Sequence, residues 1–186
     1  MKKHLVAFAT LLLAAALPAA ELPALAMMPG LKVGDRAAAF TLKNSAGGDV
    51  ALGDLLKNGP VALAFVRSAD WCPFCRRQLQ DLQKNLSAIE AAGLQLIALS
   101  YDSVATNAVA TTKLGLTFPL LSDPGSKVID AYGIRNAEAK GKAEGVPHPV
   151  LFIVDRSGTI RGKLMRDGYR DRPESAEIIS AAKGLK

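Results

Sequence analysis

The sequence predicts an α/β domain in which helices flank a central mixed sheet, with a β-hairpin added at its N-terminal end. Three observations lead there. Two short apolar runs, Val61 to Val66 and Leu94 to Leu99, enclose an amphipathic stretch, which is the pattern of a parallel strand–helix–strand crossover. Val150 to Val154 and Ile160 to Met165 flank Asp155-Arg-Ser-Gly158, a strong hairpin turn that adds antiparallel pairing. Ala38 to Leu42 and Asp49 to Leu52, joined across Asn44 to Gly48, supply the N-terminal hairpin.

Taken in order, the chain opens with Lys2 and Lys3, an apolar run from Leu5 to Leu17, and then small residues and prolines. That order is expected of a secretory signal peptide over residues 1–26, with Ala24-Leu25-Ala26 as the cleavage signal and a cut after Ala20 as the second choice. The run falls short of the roughly 20 residues a spanning helix needs, so the mature protein is expected to be exported, periplasmic or secreted, without a membrane anchor. Removal of the segment leaves 160 residues, enough for one domain and its core, and takes the formal charge from +6 to +5. Residues 27–36, with Pro29 and Gly30, are expected to form a linker, and residues 37–186 the domain.

Val61 to Val66 carries no polar side chain, which suits a central strand buried on both faces. From Pro73 to about Ala92, Phe74, Leu79, Leu82, Leu86 and Ile89 recur at helical spacing, so a single helix closed by Gly93 is expected. Val104 to Leu114 forms another helix. Phe118-Pro-Leu-Leu121 and the turn Asp123-Pro-Gly125 precede a short helix from Ser126 to Tyr132. Asn136 to Gly145, rich in Ala, Lys, Glu and Gly, reads as a mobile loop. Pro173 at a helix start and Ser175 to Ala182 complete the chain as a terminal helix.

The basic residues are scattered. A loose cluster of Arg161, Lys163, Arg166, Arg170 and Arg172 reads as a solvated basic surface, and no basic run is interleaved with aromatics, so nucleic acid is not an expected partner. The two cysteines stand together in Trp71-Cys72-Pro73-Phe74-Cys75, where a buried strand gives way to a helix. Free backbone N–H groups and the positive end of the helix dipole meet the Cys72 sulfur there and favour the thiolate, the nucleophilic form. Pro73 starts the helix without wasting a donor, and a three-residue spacing returns Cys75 to the side of Cys72. Arg76 and Arg77 add positive charge.

Other uses of the pair fit less well. Zinc normally takes four ligands, and beyond the pair the chain offers only His4 and His148. Covalent haem attachment needs histidine where Arg76 stands. An inert disulfide would close a tiny loop and restrict the unfolded chain little. A redox pair is the reading that remains, and no metal or organic cofactor is implied.

The segment resembles the active site of the thioredoxin-fold superfamily. Val33-Gly-Asp35, Ala38-Ala-Phe-Thr-Leu42, Ala98-Leu-Ser-Tyr-Asp-Ser103, Phe118-Pro-Leu-Leu-Ser-Asp-Pro124, Ala131-Tyr-Gly133 and Leu151-Phe-Ile-Val-Asp155 with Gly158 are similar, in the same order, to its alkyl hydroperoxide reductase/thiol-specific antioxidant branch, which contains the peroxiredoxins. The resemblance covers about residues 33 to 182. It implies a thioredoxin-like fold and a thiol-dependent oxidoreductase with an antioxidant role, cycling Cys72 and Cys75 between dithiol and disulfide. Its substrate would be a hydroperoxide or a protein disulfide, and an external thiol protein would supply electrons. It also implies a cis-proline facing the reactive sulfur, at His148-Pro149, with Pro147 as a competing candidate.

The chain departs from the branch in its signature, Pro-x-x-x-Thr/Ser-x-x-Cys. With the last cysteine on Cys75, Ser68 takes the proline position, Cys72 the threonine position, and Pro149 lies about where a later arginine would be. Arg67 is a candidate replacement for that cation, or else a salt-bridged residue at a strand end. Two orders of attack stay open. In one, Cys72 attacks and Cys75 releases the mixed disulfide; in the other, Cys75 takes the peroxide oxygen and Cys72 resolves it. Helix-end electrostatics favour Cys72. Trp71, Phe74, Pro73, His148 and Pro149 complete the expected substrate-contacting set, Trp71 also serving to shield the sulfurs. Asp70 borders the site, whereas Asp102 and Asp123 read as capping residues. A non-catalytic module binding a partner around Trp71, Phe74 and Pro149 is the reading from a different class.

Overall fold

The computed structural model describes residues 28–185. The expected signal peptide lies outside the described residues. Seven strands form one sheet in the order β2-β1-β5-β4-β3-β6-β7. They are β1 (Thr41–Asn44), β2 (Asp49–Ala51), β3 (Val61–Phe65), β4 (Gln95–Ser100), β5 (Leu120–Ser122), β6 (Val150–Val154) and β7 (Ile160–Met165). β3, β4 and β5 pair in parallel, whereas β6 pairs antiparallel with β3 and β7, and β1 antiparallel with β5 and β2, which makes the sheet mixed as expected.

The apolar run of β3 is central because both its faces are covered. Val61, Leu63 and Phe65 point into a core shared with Ile97, Leu121, Tyr132 and Phe152. Ala62 and Ala64 point into another, shared with Leu79, Leu82, Ile89 and Ile178. This is the two-residue period of a strand put to use on both sides. On the second side the small alanines meet the helices α2 (Pro73–Lys84), α3 (Leu86–Ala91), α4 (Val104–Leu114) and α6 (Ser175–Ala182). On the first, Phe65 packs on Tyr132 and Phe152 with ring centroids 4.9 and 5.9 Å apart, beneath α5 (Lys127–Ala131) and α1 (Leu52–Asn58).

Three expectations are corrected and one helix is added. The helix predicted from Pro73 to Ala92 is two helices. Asn85 breaks it at φ −101° and ψ 8°, and its side-chain amide also bonds the carbonyl and carboxylate of Asp81 at 2.9 and 3.1 Å at the end of α2. The α1 turn of helix was not anticipated, although Leu52, Leu55 and Leu56 supply an apolar face to the Phe65 side of the sheet. Pro173 stands before the helix cap and not within α6, because Glu174 caps it and exchanges hydrogen bonds with Glu177. Finally, no cis peptide bond occurs among the described residues, so His148–Pro149 takes the trans form that most X–Pro bonds prefer.

Part of the expected linker runs along the domain. The Leu31 N–H bonds the Tyr132 carbonyl at 3.0 Å and the Gly34 N–H the Ile160 carbonyl at 2.8 Å. Gly30 is required there: its φ is +92°, and a Cβ would come within 2.4 Å of the Ile134 side chain. The stretch from Asn136 to Gly145 is a loop, as read, but a tethered one. It contains a single 3-10 turn at Gly141–Ala143, the Asn136 N–H bonds the Val146 carbonyl at 2.9 Å, and the Ser126 hydroxyl bonds the Gly145 carbonyl at 2.8 Å.

Candidate active site

β3 delivers the chain to one end of the sheet, where Arg67 to Trp71 form a turn into α2. A buried carboxylate shapes this turn. Asp102 accepts the Ser68 hydroxyl at 3.0 Å, the Ala69 N–H at 2.8 Å and the Ser100 hydroxyl at 3.0 Å. The Ser68 oxygen in turn accepts the N–H groups of Asp70 and Trp71 at 3.1 and 3.3 Å. Burial pushes the Asp102 carboxyl above its ordinary value, and the three donors oppose that rise. Asp102 therefore braces the cysteine turn, while Asp123 accepts the N–H groups of Val128 and Ile129, both at 3.0 Å, at the start of α5. Asp70 is exposed.

Cys72 is the cap of α2 and its sulfur accepts the Cys75 N–H at 3.3 Å, with Pro73 at the first helical positions. Both cysteines are free thiols, 1% and 0% exposed. The two share a proton unequally. The Cys72 thiol is pushed far up, first because its hydrogen is held against Cys75 and then by burial. Cys75 is pulled down to about 6, first by that same hydrogen bond from Cys72, against the cost of burial, then by the Ser68 backbone N–H and the guanidinium of Arg172. The Arg172 Nη2 lies 3.4 Å from the Cys75 sulfur. Donors thus converge on Cys75, and helix-end electrostatics alone do not describe the pair.

Arg172 was read in the sequence as part of a solvated basic cluster. It is instead drawn inward by the segment between β7 and α6, with its Nη1 bonded to the carbonyls of Tyr169 and Asp171. The contact to Cys75 spans 97 positions, so no local pattern signals it. Arg67, the expected replacement cation, goes elsewhere. Its guanidinium lies 5.1 Å from the Trp71 ring and 4.6 Å from the Tyr169 ring, and it forms no salt bridge among the described residues.

The other expected residues gather around this end. The Trp71 indole N–H bonds the Tyr101 hydroxyl at 3.0 Å, and the Lys142 ammonium lies 5.3 Å from the Trp71 ring. Phe74 meets Tyr169 edge to face at 5.9 Å. Pro73 is exposed and Pro149 buried. Val150 pairs with Phe65, so Pro149 stands at the sheet end from which the cysteine turn departs. The His148 N–H bonds the Ile134 carbonyl at 2.7 Å, and burial lowers the pKa of its half-buried ring. No hydrogen bond joins that ring to either sulfur among the described residues.

A groove of about 730 Å³ opens between α2 and the segment before α6. Phe74, Arg77, Gln78, Arg172 and Pro173 are among the residues lining it. A buried sulfur with thiolate character, a second thiol in contact with it and a converging cation form an arrangement suited to nucleophilic attack followed by disulfide closure.

Residues 33–163 match the AhpC/TSA family. Alkyl hydroperoxide reductase E of Mycobacterium tuberculosis is 35% identical over 138 residues, which cover 73% of this chain and 86% of that protein. The thiol-disulfide oxidoreductase ResA of Halalkalibacterium halodurans is 28% identical over 130 residues, 69% of this chain and 66% of that one. The crystal structure of peroxidoxin BcpB from Mycobacterium tuberculosis superimposes with a TM-score of 0.74 at 21% identity, covering 84% of this chain and 99% of that one, a likeness of fold.

Proposed function

The chain belongs to the AhpC/TSA family, with a thioredoxin-like fold, and from that premise we propose that it is a thiol-dependent peroxidase in which Cys75 attacks and Cys72 resolves. The observation that carries this order is the Arg172 Nη2 at 3.4 Å from the Cys75 sulfur. A cation at that distance favours the thiolate, the form that reacts.

The steps balance as follows. The Cys75 thiolate attacks the terminal oxygen of a hydroperoxide, the O–O bond breaks, and sulfenic acid forms on Cys75 while the alkoxide leaves and takes a proton from solvent. The Cys72 thiol then attacks that sulfur, the Cys72–Cys75 disulfide forms, and water leaves. An external thiol protein donates two electrons and two protons to reopen the disulfide. In this reading Trp71, Phe74, Pro73, His148, Pro149 and Arg67 serve as the contact surface for substrate and reductant. The Lys2-Lys3 start and apolar run that follow the pattern of a signal peptide support an exported, periplasmic or secreted setting.

Turnover of hydrogen peroxide and cumene hydroperoxide with a thioredoxin and its reductase as electron donor tests the activity. Both substrates are expected to be consumed by the wild type and by neither Cys75→Ser nor, in repeated turnover, Cys72→Ser. A wild type inert to both peroxides overturns the proposal.

One observation favours a second reading. Cys72 caps α2 and receives the Cys75 N–H at 3.3 Å, an arrangement suited to thiol–disulfide exchange, the chemistry in the name of the Halalkalibacterium relative. Fast reduction of insulin disulfides together with peroxide inertness is the outcome that selects it.

A further inference from the structure

Five cations gather around the Trp71–Cys75 turn. The Lys142 ammonium lies 5.3 Å from the Trp71 ring, the Arg77 guanidinium 5.1 Å from the Phe74 ring and that of Arg170 5.8 Å from the Tyr169 ring. Arg67 faces both Trp71 and Tyr169, and Arg76 borders a hollow shared with Ala69 and Asp70. None of the five forms an ion pair among the described residues, and all but Arg67 are exposed. An aromatic face fixes where a cation stands but leaves its charge uncompensated. The carboxylates close by do not balance it. Asp81 accepts the Ser175 hydroxyl at 2.6 Å and Glu174 caps α6, which leaves Asp70 and Asp171.

A neutral hydroperoxide carries no charge for such a rim to attract, whereas the protein that returns electrons to the pair has a surface that can match it. We infer that these cations form the docking rim for the electron donor, and that the donor is a dithiol protein with carboxylates flanking its cysteines. This deepens the peroxidase reading, on which the disulfide cycle rests, by giving the chemistry of the reductant. Complementary charge raises the rate of encounter and turns away basic partners. Nucleic acid fits less well, because the Trp71, Phe74 and Tyr169 rings that could stack on bases already carry cations.

On the docked pair a thiolate of the donor attacks the Cys72 sulfur, the Cys72–Cys75 bond breaks, and Cys75 leaves as the thiolate that Arg172 Nη2 faces at 3.4 Å. Cys75 is the leaving group because the sulfur with the more stable thiolate departs faster. The donor's second thiolate then attacks the donor's own sulfur in the mixed disulfide, and Cys72 is freed and takes a proton from solvent. The donor ends as a disulfide, and its two electrons end on the pair.

The test uses the full chain, oxidised with diamide so that no peroxide reaction is needed. Two synthetic dithiol peptides reduce it, each with the core Cys-Gly-Gly-Cys, one flanked on either side by aspartates and the other by lysines. The fluorescence of Trp71, the chain's one tryptophan, gives the rates. Each is normalised by the peptide's rate on the neutral disulfide dithiodipyridine, which removes differences in thiolate reactivity. At about 20 mM salt the aspartate peptide is expected to react roughly tenfold faster, and at about 0.5 M salt the two rates converge. The double variant Lys142→Gln/Arg170→Gln should narrow the gap at low salt while leaving the single-turnover rate with hydrogen peroxide unchanged. Equal rates at low salt, or a preference that neither salt nor the double variant reduces, overturns the docking rim. A preference that holds in a chain inert to peroxide overturns the peroxidase reading alone and sustains the rim.

Discussion

Replacing Arg172 with methionine removes the guanidinium while keeping an apolar side chain of similar reach. The Nη2 to Cys75 sulfur distance of 3.4 Å brackets the effect. At an effective dielectric constant of about 20 the charges attract by about 5 kcal/mol, and in bulk water by about 1 kcal/mol. Arg172 is partly exposed, so its contribution lies between these limits, near the 1.5–3 kcal/mol of a typical hydrogen bond to a charged group. At about 1.4 kcal/mol per pH unit, the Cys75 midpoint should rise by about 1–2 pH units. With Cys75 held down to about 6 in the wild type, the thiol is mostly ionised at pH 7. In Arg172→Met the midpoint moves to about 7–8 and the thiolate fraction at pH 7 drops to between roughly a half and a tenth. The assay is the pH dependence of iodoacetamide alkylation, with peptide masses locating the label. A midpoint that stays put in Arg172→Met, or a label that goes first to Cys72, refutes the argument.

Three further outcomes are expected. Phe152 is completely buried between Phe65 and Tyr132, so Phe152→Ala should lower unfolding stability in urea by about 3–5 kcal/mol. Asp102→Ala strands three donors that now meet its carboxylate, and should cost about 3 kcal/mol and slow the peroxide reaction by loosening the Ser68–Trp71 turn, read by denaturation and by single-turnover rates. Burial lowers the His148 pKa from its ordinary 6.5, so the neutral ring's contribution to stability is present above pH 6.5 and is lost as pH falls through the lower folded value. His148→Gln should therefore flatten the decline in thermal stability below pH 6.5, and an identical decline in both proteins contradicts the assignment.

The strands and most helices were legible because their signals are local. β3, β4 and β6 announced themselves as apolar runs between turn residues and β7 as the second arm of the hairpin across Asp155 to Gly158, and α4 and α6 fell within their expected bounds. The break at Asn85 was not legible from apolar spacing, which continues through Leu86 and Ile89; it lies in the backbone angles of Asn85 alone. The site divides along the same line. The cysteine pair, its capping position and the proline after it are written in five consecutive residues. Arg172 is not, because its approach to Cys75 depends on how the segment after β7 returns over α2.

The site of the first oxidation separates the two orders of attack. Each single cysteine variant, reduced, is mixed with one equivalent of cumene hydroperoxide in the presence of dimedone, which traps sulfenic acid, and the labelled peptide is identified by mass. Label on Cys75 in Cys72→Ser, with none on Cys72 in Cys75→Ser, is the predicted result; rapid labelling of Cys72 in Cys75→Ser contradicts it.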